Sequence, residues 1–434
     1  MRTRPDDGPR PDAVDALDDD LSEPCDQPGS RGALSSAADS PARPPMYGRL
    51  HESFVKWHYA RRKHHPESVI LAGHHNSNHA MPLSRGLAWF MPTPLERTAR
   101  IKLRVPLDTP MVVMRTWQDE AEVLAALERL SPEPVFVTPR CLVTFEGASL
   151  HRFEPGTALS QVSAPGEPLG EDMLRKLAEV FARTAVVGPD QLPPLPPDWP
   201  TDPKSSDAFL DHMVQYSERE VHQRHRPEFG TLFDALGVPL NALDHFRAGV
   251  RLRTRELQRR PYALLHTDLH RDNIVVLEDG ALFILDWELA TYGDPLHDLA
   301  THLVRMRYTD HERERMKVIW EETLAERGCS AMTAGMSTDL QAYLDFEYAQ
   351  SVFADVVRAA VRLGAEPANP ALGPSVGMVH RALDRAKELI GLDAVPSEEE
   401  IETALADWHT LRYPGRRRRW IFTARAARNR AGGR

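Results

Sequence analysis

The segment Tyr262–Leu303, YALLHTDLHRDNIVVLEDGALFILDWELATYGDPLHDLATHL, constrains this chain more than any other. Two apolar runs, Ile274–Leu277 and Ala281–Leu285, are joined by Glu278, Asp279 and Gly280. An Asp-Gly between apolar runs predicts a β-hairpin. Asp268 and Asn273 lie just before the first run, and Asp286 just after the second. Closing the hairpin brings the ends of the segment together, so these three polar side chains converge.

That convergence suits phosphoryl transfer. The reaction needs a carboxylate at the attacking hydroxyl and hard oxygen ligands for Mg²⁺ on the phosphates. His266, Asp268, Leu269 and Asn273 meet the catalytic-loop pattern His-x-Asp-Leu-x-x-x-Asn in full. Asp286 stands where a kinase places its second metal-binding acid.

HTDLHRDN followed by DWELATYGDPLHDLA resembles the aminoglycoside phosphotransferase and choline kinase-like superfamily. Its patterns run His-Gly-Asp-Leu-His-x-x-Asn and then Asp-Trp/Phe-Glu…Gly-Asp-Pro-x-x-Asp-Leu. Thr267 replaces the usual glycine. The resemblance is strong over 262–303, weaker over roughly 69–160 and faint elsewhere. It implies an α+β, two-lobed protein-kinase-like fold, with a small mainly-β N-lobe and a larger helical C-lobe. It also implies ATP and Mg²⁺ as cofactors, and a small-molecule hydroxyl as acceptor. Asp268 would be catalytic, Asn273 and Asp286 would hold the metal, and His266 and Asp298 would support the catalytic loop. Asp298 should do so by accepting hydrogen bonds from the loop backbone; the alternative is a first-turn acid favoured by the helix dipole. Asp294 can cap the same helix, with Pro295 at its first position.

A peptide substrate is not expected. Thr267 stands where a regulated protein kinase has Arg, and only seven residues separate Asp286 from Asp294, too few for an activation segment. Two other readings compete. His266, Asp268 and His270 would share one face of an extended segment, as ligands of a metal-dependent hydrolase do. A catalytically weak nucleotide-binding protein is the other, because the phosphate-covering loop is poor in glycine.

At 434 residues the chain is long enough for one large or two medium domains. We expect a disordered acidic, Pro-rich tail over 1–45, an N-lobe over 46–155, a C-lobe over 156–411 and a basic tail over 412–434. Residues 1–45 hold eight prolines and ten acids with few large apolar groups, too little to offset chain entropy. Leu411–Arg434 holds nine arginines and no acids; Arg416–Arg419 can serve an anionic partner or be a solvated tail. The net charge of −10 argues against generic nucleic-acid binding. No apolar run reaches the ~18 residues of a membrane span, and no secretion signal is evident. Three dispersed cysteines suit a reducing, cytoplasmic setting.

In the N-lobe, Val69–Ala72 and His79–Leu83 read as strands flanking Gly73–Asn78. That loop takes the place of a phosphate cover, with Gly73 and Asn78 as candidate backbone contacts; a plain hairpin turn would look the same. Met111–Met114 reads as a strand ending at Arg115, followed by a helix over Asp119–Leu130 carrying Glu120. Strand, cation, then helix with an acid is the kinase arrangement of the phosphate-binding cation and its Glu partner. Arg115 is the candidate cation, Lys102 the alternative. His151–Gly156, with Glu154, resembles the adenine-binding segment between lobes.

Helical patterns run through about 171–187, 206–223, 240–258, 295–308, 311–327, 338–363, 375–391 and 398–411. In the 338–363 pattern, Glu347, Ser351 and Asp355 share one stripe of an otherwise apolar helix. Such acids either face solvent or line a site for a cation. The resemblance favours the second, so Glu347 and Asp355 are candidate acceptor-binding residues for a cationic substrate.

Overall fold

The computed structural model describes residues 57, 61, 65, 68–71, 76–83, 100–106, 109–130, 136–145, 148–253, 256–364 and 372–413. The acidic N-terminal segment, Gly73 and Arg416–Arg419 lie outside them.

The chain divides into two compact units, one of residues 1–108 with 143–150, the other of 109–142 with 151–434. In the first, β1 (Val69–Leu71), β2 (Asn76–Pro82) and β3 (Arg100–Pro106) form an antiparallel ladder pairing Leu71 with Asn78 and Asn78 with Arg104. The expected turn therefore ends sooner than its polar residues suggest. Asn76 and Asn78 are paired strand residues, because ladder hydrogen bonds to β3 outweigh their turn preference. β5 (Cys141–Phe145) and β6 (Ala148–Phe153) complete a five-stranded sheet in the order β1-β2-β3-β6-β5.

The second unit is built around the expected hairpin. β9 (Ile274–Val276) pairs antiparallel with β10 (Leu282–Ile284), Ile274 opposite Ile284. Gly280 closes the turn at φ +80°, a conformation open to glycine at little cost. The Ala281 amide donates to Asp279 Oδ1 at 2.9 Å. β4 (Phe136–Val137) and β7 (Thr157–Ala158) flank the hairpin, in the order β4-β10-β9-β7. β8 (Ala263–Leu265) pairs with β11 (Thr291–Gly293).

Helices supply most of this unit. They are α1 (Glu120–Leu130), α2 (Leu159–Val162), α3 (Glu171–Ala185), α4 (Ser206–Tyr216), α5 (Arg224–Ala235) and α6 (Ala242–Arg253). After the hairpin come α7 (Pro295–Arg305), α8 (Asp310–Glu326), α9 (Met336–Leu363), α10 (Leu372–Ile390) and α11 (Glu398–Arg412). The 206–223 pattern is not one α-helix, since its last seven residues, Ser217–Gln223, are π-helical. α5 was hidden in the sequence by Pro227 and Gly230. Pro227 lies four residues beyond the π-helical turn, inside continuous helical backbone, where its missing N–H removes one ladder bond. Among the described residues no helix is long and apolar enough to cross a membrane.

A fully buried ion network fixes α7 against α9. Arg260 donates to Asp294 (Nη2 to Oδ2, 2.8 Å) and to Asp339 (Nη1 to Oδ2, 2.7 Å), and Tyr343 Oη donates to Asp294 Oδ2 at 2.8 Å. Asp294 also caps α7, accepting from the Leu296 amide. A Cβ on the neighbouring Gly293 would stand 2.1 Å from the Phe209 ring, so this close approach admits only glycine.

Candidate active site

The Leu285 amide donates to Asn273 O at 2.8 Å, one step beyond the β9–β10 ladder. Asn273 and Asp286 therefore leave the hairpin side by side. Asn273 Nδ2 donates to Asp268 O at 2.9 Å and to Asp268 Oδ2 at 3.1 Å. The three polar residues are thus brought to one end of the hairpin. Asn273's nitrogen is spent on Asp268, so its Oδ1 is the atom left for a cation. Asn273 Oδ1 and the Asp286 carboxylate are oxygen donors of the hard kind that could hold Mg²⁺.

The loop over 266–273 is pinned from α7. Asp298 Oδ2 accepts from the His266 amide at 3.0 Å and Oδ1 from the Thr267 amide at 2.7 Å. Burial raises the Asp298 carboxyl to about 6, although the two amides oppose the rise. His266 is buried, and burial lowers its pKa, so its ring is neutral. The Asp268 amide donates to its Nδ1 at 3.2 Å, which leaves Nε2–H to donate to Leu285 O at 2.9 Å. One imidazole thereby ties the loop to the hairpin.

Thr267 has φ +57°. The left-handed region is costly for a β-branched residue, by about 1–2 kcal/mol, which explains why the resembling pattern carries glycine here. The hydroxyl gives some of this back by donating to Leu289 O at 2.7 Å.

Asp268 itself meets a cation. Arg305 Nη1 donates to Asp268 Oδ1, and His270 Nε2 lies 3.4 Å from the same oxygen. Burial alone would raise the Asp268 carboxyl, yet Arg305, His270 and His266 hold it below the usual carboxylate range. At neutral pH it is a carboxylate.

The other candidates fall as follows. Met111–Met114 is not a strand. Arg115 follows it in irregular backbone and pairs with Glu288 (Nη2 to Oε2, 2.5 Å). Glu120 Oε1 accepts from the Trp287 amide at 2.8 Å. The guanidinium of Arg115 is instead taken by Glu288, on the turn after Asp286. Lys102 lies on β3 in the other unit and is buried. Glu154 pairs with Arg152 at 2.5 Å.

Glu347 is buried and lines a cavity with Thr267, Leu289, His297, Arg305 and Phe346, so it does not face solvent. Burial raises its carboxyl to about 7, against the pull of Arg305. His297 Nδ1, 3.6 Å from Glu347 Oε1, belongs to a ring that burial keeps neutral, its pKa lowered to about 3. Asp355 is not among the cavity-lining residues and pairs with Arg358 at 3.4 Å. The hydrolase arrangement is overturned: both ring nitrogens of His266 are committed to protein groups, so it has no lone pair for a metal. Among the described residues no group of three or more His, Cys, Asp or Glu could hold a metal ion.

Sequence reasoning missed Arg305, His302 and Arg271. His302 Nδ1–H donates to Leu269 O at 2.8 Å, and Tyr308 Oη donates to His302 Nε2 at 2.8 Å. Arg271, buried, donates to Met306 O, Ser163 O and Glu167 O. Asp298, His302 and Arg305 recur at i, i+4 and i+7, a stripe that the sequence does show.

No curated protein sequence matches the chain. Solved structures do. An ethanolamine kinase from Plasmodium vivax aligns with TM-score 0.50 and 11% identity over 79% of this chain and 87% of that one. The aminoglycoside phosphotransferase APH(4)-Ia aligns with TM-score 0.45 and 13% identity, over 79% and 99%. A macrolide 2'-phosphotransferase from Brachybacterium faecium aligns with TM-score 0.41 and 15% identity, over 76% and 93%. The fold is α+β and protein-kinase-like, with a small β-rich part and a larger helical one. The model of the phosphotransferase enzyme family (APH) matches residues 101–328, which hold the catalytic loop, the hairpin and α7. This chain belongs to the phosphotransferase enzyme family.

Proposed function

We infer that the chain transfers the γ-phosphate of ATP, with Mg²⁺, to a hydroxyl of a small cationic molecule such as an aminoglycoside-like compound or an amino alcohol. The observation that carries this is the meeting of Asp268, Asn273 and Asp286 at one end of the hairpin. A bound Mg²⁺ would supply neutralisation of the negative charge on the phosphates. Asn273 Oδ1 and Asp286 would hold it. Asp268 would accept the hydrogen bond of the acceptor hydroxyl, aim its oxygen at phosphorus and take its proton as the bond forms. Its depressed pKa makes it a weak base. That suits a loose transition state, in which the hydroxyl needs orientation more than early deprotonation.

Glu347 supports a cationic acceptor. A buried carboxyl with its pKa raised to about 7 gains from an ammonium group that restores its charge. The three dispersed cysteines support a reducing cytoplasmic setting. The test is ATP consumption across a panel of aminoglycosides, macrolides, amino alcohols, sugars and nucleosides. Turnover with a cationic member is expected. Mg·ATP binding with no turnover on any member would instead favour a nucleotide-binding protein without transferase activity.

A further inference from the structure

α7 touches the catalytic loop three times from one face. Asp298 takes the amides of His266 and Thr267, His302 takes the carbonyl of Leu269, and Arg305 takes the carboxylate of Asp268. Between them these contacts reach every loop residue from 266 to 269. The helix that bears them is held at its other end by the buried Arg260–Asp294 pair. Arg305 is half-buried, and burial opposes its charge, yet Asp268, Glu347 and Asp355 keep it charged.

The geometry points to Arg305 as a positioning residue for the catalytic carboxylate, a role that rests on the functional reading above. Arg305 fills Asp268 Oδ1, which His270 also approaches, and so fixes the plane of the carboxyl group. Oδ2 accepts only the Asn273 amide, at 3.1 Å. A carboxylate oxygen has room for a second donor. Oδ2 is therefore the atom that receives the acceptor hydroxyl, aimed beside the Asn273 and Asp286 pair.

Such a role separates kcat from KM. A misplaced reactive group can cost about 100-fold in rate, so Arg305→Met should lower kcat by about that factor and leave KM for Mg·ATP at the parent value. Arg305→Lys, which keeps the charge but loses the forked geometry, should recover part of kcat. Arg358 feels the charge of Asp268 without bonding to it, so Arg358→Met is the control for charge alone and should stay near the parent. In an Asp268→Ala background, Arg305→Met should cost nothing further, because the two act as one unit.

The measurement is ADP release from Mg·ATP, with water as acceptor and with whatever acceptor the panel yields. ¹⁵N-arginine spectra of the parent and Asp268→Ala give an independent readout. Slowly exchanging Arg305 Nη signals should be present in the parent and absent in the variant. Arg305→Met with the parent kcat while Asp268→Ala is inactive would overturn this inference and leave the functional reading intact, as would freely exchanging Nη groups in the parent. An Asp268→Ala variant as active as the parent, or a parent that turns over no ATP, would remove both.

Discussion

At the scale of single residues the site combines strain and charge. Thr267 holds a left-handed conformation and offsets part of its cost with one hydroxyl bond. Thr267→Val keeps the shape and strain but leaves Leu289 O without its donor. It should lower stability by about 1–3 kcal/mol in urea denaturation, the usual penalty for an orphaned buried acceptor. Thr267→Gly loses the same bond but sheds the strain, and should cost clearly less; a larger loss for Gly than for Val would contradict this. Glu347 gives a pH signature. Its folded value of about 7 lies above the ordinary 4.5, so the folded state holds the proton more tightly. Its stabilising contribution is full below 4.5 and is lost as pH rises through 7. Glu347→Gln cannot ionise and should gain on the parent between pH 5 and pH 8 by about 2–3 kcal/mol, since each pKa unit is worth about 1.4 kcal/mol. A difference that does not change with pH would refute the assignment.

At the scale of elements, the hairpin was legible because Asp279-Gly280 and two apolar runs state it locally. Helix positions were legible from periodicity, to within a few residues at α3, α7, α9 and α11. What escaped was settled by partners distant in sequence. Arg115 looked like a strand-end cation until Glu288, 173 residues later, claimed it. The π-helical Ser217–Gln223 gives no periodic signal that separates it from an α-helix. Thr267 reads in the sequence as a plain replacement of glycine; its left-handed backbone is visible only in the fold. Arg260 precedes the motif and carries no pattern of its own, yet it holds α7 to α9. Arg260→Met would leave Asp294 and Asp339 buried without their cation. Breaking a buried pair in this way typically costs ~3–5 kcal/mol, so the variant should unfold at much lower urea than the parent, and near-parent stability would contradict the network's role.

At the scale of the whole molecule, the helical unit carries one hairpin whose polar ends form the candidate site. Metal dependence is tested there by two variants. Asp286→Ala should abolish Mg²⁺-supported ATP binding in calorimetry, because a carboxylate is the stronger hard ligand. Asn273→Ala should weaken it less. Equal binding by Asp286→Ala and the parent would remove Asp286 from the metal site. The nucleotide-binding cation is decided by KM for ATP: a larger rise for Lys102→Ala than for Arg115→Ala would assign the role to the lysine on β3. The most direct test of the account is Asp268→Ala, with ADP release and Mg·ATP binding measured on the same preparation. Proton transfer contributes ~10²–10⁴-fold and lost orientation adds to it, so turnover should fall by at least that factor while binding persists. A variant that keeps more than about a tenth of parental turnover, a loss far short of that range, would contradict the central role given to this carboxylate.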